Sequence, residues 1–139
     1  MGNRVSIFRN VATVGTVAAA TVLLAASPSL AGTNVSVSSY VCAQVACAYE
    51  AARATFTADG DTWKVCDEYA DGDRAKMSIS FTNSNGSVET DYTEATGGAN
   101  TCVKDSVNIP EGHRVTVKVW HQNGAGGTPR DVATAYGTA

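Results

Sequence analysis

Residues 55–81 read TFTADGDTWKVCDEYADGDRAKMSISF, and two dipeptides divide them into three apolar-alternating runs. Asp59-Gly60 and Asp71-Gly72 are turn signals, because glycine tolerates the positive φ of a tight hairpin turn and an aspartate side chain can close its own turn. In the third run Ala75, Met77, Ile79 and Phe81 fall on one face. Arg74, Lys76, Ser78, Ser80 and Thr82 fall on the other, which is the period of a half-buried antiparallel strand. The rest of the chain repeats this pattern.

Working outward, the first thirty-one residues are set apart. Arg4 and Arg9 precede the uncharged run VATVGTVAAATVLLAA and the small-residue stretch SPSLA, so residues 1–31 read as a secretory signal peptide with a cut before Gly32. The arginines are not adjacent, which gives no support to a twin-arginine route, and the run is short for a membrane anchor. Residues 32–139 then form one small secreted domain. Removing Arg4 and Arg9 takes the basic count from ten to eight against thirteen acidic residues, a net charge near −5. That balance argues against nucleic acid and against anionic membranes as partners.

Cys42, Cys47, Cys66 and Cys102 all lie in the secreted part, and an even count there implies two disulfides. We expect sequential pairing, Cys42 with Cys47 in a bridged loop and Cys66 with Cys102. Zinc would require paired CxxC-type spacing, which is not present. The Ala-rich segment VCAQVACAYEAARA favours a helix by propensity, yet residues five apart point to different sides of a helix and could not bridge there. A strand over residues 49–57, with Ala52, Ala54 and Phe56 inward, resolves the conflict.

Strands are further expected at residues 34–41 (Val35, Val37, Val41), 62–68, 74–82, 88–93, through Val103, Val107 and Ile109, through Val115, Val117 and Val119, and through Val132, Thr134 and Tyr136. Together they indicate an all-β, antiparallel, seven- or eight-stranded sandwich or small barrel. In such a succession turns alternate between the two ends of the fold. The connections 67–73, 96–100 and 123–129, which are longer and Gly-rich or acidic, therefore share one end, and that end is the candidate binding site. Its candidate residues are Trp120, His121, Asn123, Asp67, Glu68, Asp71, Asp73 and Asn100. Trp63 shares a face with Val65 and belongs to the core, whereas Cys66 and Cys102 face away from it. Trp120 is the outlier: it lies opposite Val115, Val117 and Val119, either covered by the following loop or terminal strand or serving as an aromatic anchor.

No catalytic constellation is legible. There is no nucleophile elbow and no HExxH, and His113 and His121 fall at opposite ends. The acidic run DEYADGD does not match an EF-hand, which would need an oxygen ligand at Tyr69 and a glutamate at Ser78. Solvated turn acids and a surface His121 are the plainer reading, so no metal or other cofactor is expected. Asn34-Val35-Ser36 and Asn85-Gly86-Ser87 match the N-glycosylation triplet, which matters only in a eukaryotic host.

The stretches DTWKVCDEYADG, GGANTC and IPEGHRVTVKVWHQNGAGGTP resemble uncharacterised small secreted proteins of filamentous actinobacteria, two-disulfide and all-β. The resemblance covers about the last two-thirds of the chain and implies secretion and a β fold, without an activity. Amylase inhibitors from the same bacteria are also small two-disulfide β domains, but their Trp-Arg-Tyr turn is missing here, so their target is not carried over. The sequence thus leads to a secreted non-enzymatic binding or inhibitory module for an extracellular protein or glycan. A self-associating surface or matrix protein is the alternative, and a small secreted hydrolase the minor one.

Overall fold

The computed structural model describes residues 31–43 and 46–139; the signal-peptide reading of residues 1–31 falls, Ala31 apart, outside them. Eight strands follow one another: β1 (Val35–Ala43), β2 (Ala46–Thr57), β3 (Thr62–Asp67), β4 (Arg74–Thr82), β5 (Val88–Ala95), β6 (Thr101–Ser106), β7 (Arg114–Gln122) and β8 (Arg130–Thr138). They form two antiparallel sheets, ordered β1-β2-β3-β6 and β5-β4-β7-β8. The result is a sandwich and not a closed barrel, so the barrel alternative is set aside. β1 lies beside β8, where Thr33 and Thr138 exchange backbone hydrogen bonds, while the edges β5 and β6 end their sheets on the other side.

The core is what the alternation requires. Ala52, Ala54 and Phe56 of β2, Trp63 and Val65 of β3, Met77, Ile79 and Phe81 of β4, and Val115, Val117 and Val119 of β7 are all buried between the sheets. Each large apolar side chain so buried contributes roughly 1.5–3 kcal/mol. Trp63 also donates its indole N–H to Thr93 Oγ1 at 2.8 Å, so its one polar group is satisfied inside. At the closed side β8 comes so near β1 that a Cβ on Gly137 would lie 2.5 Å from the Thr33 carbonyl oxygen.

Both disulfides join the expected partners, Cys42 with Cys47 and Cys66 with Cys102. Their setting differs from expectation in one respect. Cys42 and Cys47 are register partners where β1 meets β2, so the bridge closes the tip of a hairpin and not an independent loop. Cys66 and Cys102 are cross-strand partners of β3 and β6, pinning the edge strand to β3. That edge strand is shorter than expected. β6 stops at Ser106, and Ile109 is buried from the following loop, its N–H held by Asp61 Oδ2 at 2.9 Å; Pro110 next to it has no N–H to continue a ladder.

Candidate functional site

The connections 67–73, 96–100 and 123–129 do share one end. Asn100 N–H donates to the Asp67 carbonyl at 2.7 Å, and Arg130, just after the third connection, reaches Asp73 Oδ2 at 3.0 Å. That end holds a buried polar clasp around His121, with Asp71, Asn100 and Asn123 exposed about it. His121 follows the parity of Val115, Val117 and Val119, faces inward and is buried, which corrects its reading as a surface histidine. Its Nδ1 lies 3.1 Å from Ser39 Oγ, and its Nε2 lies 3.6 Å from Asp131 Oδ2 and 4.0 Å from Asp73 Oδ2.

Ser39, only 1% exposed, was not singled out by the sequence, although it continues the inward parity of Val35 and Val37. Its hydroxyl donates to the Asp131 carbonyl at 2.8 Å. A serine has one proton, so towards His121 its oxygen acts as acceptor and the Nδ1–H as donor. Ser39 of β1 and His121 of β7 thus join the two sheets through a side-chain contact, with the Asp131 and Asp73 carboxylates beside the imidazole.

The other candidate residues are dispersed around this clasp. Asp67 is buried at the end of β3; its Oδ1 accepts from Tyr69 N–H at 3.3 Å, and its Oδ2 has no hydrogen-bond partner. Burial first, and then the charges of Asp71, Asp73 and Glu68, hold its carboxyl above the ordinary aspartate value, opposed by the Tyr69 hydrogen bond. Asp71 Oδ1 accepts from Asp73 N–H at 2.8 Å, an Asx turn. Glu68 Oε1 lies 3.6 Å from Arg53 Nε, and Arg53 also binds Glu50, whose carboxyl that bond holds below its ordinary value. Asn123 and Asn100 are exposed. Among the described residues no group of three or more His, Cys, Asp or Glu side chains is arranged to hold a metal ion.

Trp120 does point away from the valines, but it is covered. It is 9% exposed, its indole N–H donates to Gln122 Oε1 at 2.8 Å, and Gln122 in turn holds the Gly124 and Ala125 carbonyls at 2.9 Å. The loop after β7 is thus tied to the indole through Gln122. What remains open is a hollow of about 310 Å³ beside it, lined by Ser78, Tyr92, Lys118, Trp120, Pro129 and Val132.

That hollow belongs to a larger feature that the sequence did not disclose: the outer face of the β5-β4-β7-β8 sheet. Register places Tyr92, Ser78, Lys118 and Thr134 in one row across the four strands, with Thr90, Ser80, Thr116 and Tyr136 in the next. Tyr92 is 67% exposed and Val88 71%, and Val132 and Tyr136 are exposed as well. Arg114 lies over the Tyr136 ring at 4.0 Å. Large apolar groups left open on one face mark interaction surfaces more often than scattered ones do.

The fold and its two cross-links thus define a disulfide-bonded antiparallel β-sandwich with a structurally tied loop end and one open aromatic face. Comparison with protein-family models, curated proteins and solved structures finds no match to the chain.

Proposed function

We propose that the protein is a secreted, non-enzymatic binding module that works outside the cell, with the outer face of the β5-β4-β7-β8 sheet as its contact surface. The observation that carries this reading is the exposure of Val88, Tyr92, Val132 and Tyr136 together on that face. Two disulfides are compatible with an extracellular setting, and no helix among the described residues is long and apolar enough to cross a membrane. A module of this kind uses its scaffold to hold a flat platform in register, and the clasp around His121 keeps the loop rim of that platform fixed. The signal-peptide reading and the actinobacterial resemblance support the same setting.

The test is co-sedimentation of purified protein with insoluble cell-wall polysaccharides and with secreted polymers, alongside an assay for soluble fragments. The protein is expected to enter the pellet and to release nothing. Retention in the supernatant with every polymer, or catalytic release of fragments, overturns the proposal.

A second reading, self-association in an extracellular matrix, draws on the unpaired edges of β5 and β6, which end their sheets side by side. Sedimentation velocity over a wide concentration range tests it. A concentration-dependent rise in mass supports it, and a constant monomer mass rejects it.

A further inference from the structure

The charge on the open face is opposite to that of the chain. On its outward positions stand Lys76, Lys118 and Arg114, and the one carboxylate among them, Glu94, is paired with Arg74 at 2.8 Å. Among the described residues neither lysine lies within salt-bridge distance of a carboxylate, although the chain as a whole is acidic. Lys118, the register partner of Ser78, lines the hollow beside Tyr92, and Lys76 stands between Trp120 and Glu94 in register, at the strand position next to the hollow. A second shallow hollow, of about 180 Å³, lies further along the same strands between Val88, Ser80, Thr116 and Arg114. Cations, exposed rings and hydroxyls thus run along one strip.

From this we infer that the strip binds an anionic glycan, an oligosaccharide carrying carboxylate or sulfate groups. This rests on the reading of the protein as a binding module. The chemistry is specific at each point. The Tyr92 ring offers an apolar plane to the C–H face of a sugar, Ser78, Ser80, Thr90 and Thr116 supply hydroxyls that both donate and accept, and Lys76, Lys118 and Arg114 meet the anionic groups. An acidic peptide fits less well. β4 and β7 are central strands whose backbone groups are used in the ladders, so the face offers no main-chain partners, and the hollows are shallow for side-chain anchors.

The experiment titrates isotope-labelled purified protein with hexagalacturonate, a heparin hexasaccharide, neutral cellohexaose and a poly-glutamate peptide, following amide and indole resonances. Hexagalacturonate or the heparin fragment, or both, are expected to bind with a Kd below about 1 mM. They should shift Tyr92, Lys118 and the Trp120 indole N–H while leaving the core Trp63 indole N–H unmoved, and bind more weakly as salt is raised. Which of the two binds distinguishes carboxylate from sulfate recognition. Lys118→Gln and Tyr92→Ala, both on the surface, should each weaken binding about tenfold at unchanged melting temperature. Equal binding of cellohexaose, or no shift with either anionic oligosaccharide, overturns the inference. If poly-glutamate alone shifts this face, the glycan is wrong while the binding module stands; if no probe and no cell-wall polymer engages the protein, both fail.

Discussion

Ser39 of β1 and His121 of β7 stand 82 positions apart in the chain and meet at 3.1 Å, one from each sheet. Around them the Asp131 carbonyl, the Asp131 and Asp73 carboxylates and Arg130 close a polar clasp over the end of an otherwise apolar core. It binds the two sheets together where the valine stripe of β7 runs out.

Removing the serine hydroxyl leaves both the His121 Nδ1 and the Asp131 carbonyl short of a buried partner. Ser39→Ala is expected to lower stability by about 1–3 kcal/mol in denaturant unfolding. A loss within measurement error would mean that the clasp contributes nothing to holding the sheets.

Asp67 gives a prediction with a pH sign. Its carboxyl is raised above the usual value by burial and neighbouring acids, so the folded state resists its ionisation. Its favourable contribution is complete below the unfolded aspartate value and is lost as pH rises through the folded one. Asp67→Asn should therefore melt higher than the parent at neutral pH, and the difference should vanish in acid, where both side chains are neutral. A variant that melts lower at neutral pH contradicts the assignment.

The two disulfides should differ in worth. The Cys66–Cys102 bridge spans 36 positions and the Cys42–Cys47 bridge five. By loop entropy, replacing the first pair by alanine should cost about 4 kcal/mol and the second about 2 kcal/mol. Equal losses in thermal unfolding would show that pinning the β6 edge is not what the longer bridge does.

Gly137 tests the closed side of the sandwich. Ala at this position forces a methyl against the Thr33 carbonyl and Val35 Cγ2, each at 2.5 Å, so β1 and β8 must part. Gly137→Ala is expected to destabilise by about 1–3 kcal/mol. A neutral result would show that this contact is loose in solution.

The strands were legible because their burial is one-sided: Met77, Ile79 and Phe81, and the three valines of β7, each announce a face by alternation alone. The sharing of one end by three connections was legible too, since antiparallel succession dictates it. The clasp was half-visible. His121 has the parity of the valines and Ser39 that of Val35 and Val37, but a polar residue at an inward position gives no hint of its partner across the sandwich. Val41 shares the parity of Val35 and Val37 but lies outside the core cluster, and the irregular register beside it leaves Ala51 of β2 unpaired in the ladder. The cationic aromatic face could not be read at all, because bringing Tyr92, Lys76 and Lys118 together requires knowing that β4 lies between β5 and β7.

The central claim is that contact runs over the open sheet face while the loop end is structural. Its most direct test is hydrogen–deuterium exchange of the protein free and bound to the cell-wall polymer that retains it. The account predicts new protection in β4, β5 and β7 around Ser78, Tyr92 and Lys118, with the connections 67–73 and 96–100 unchanged. Protection confined to Asp71, Asn100 and Asn123, with the sheet face unaltered, would contradict it.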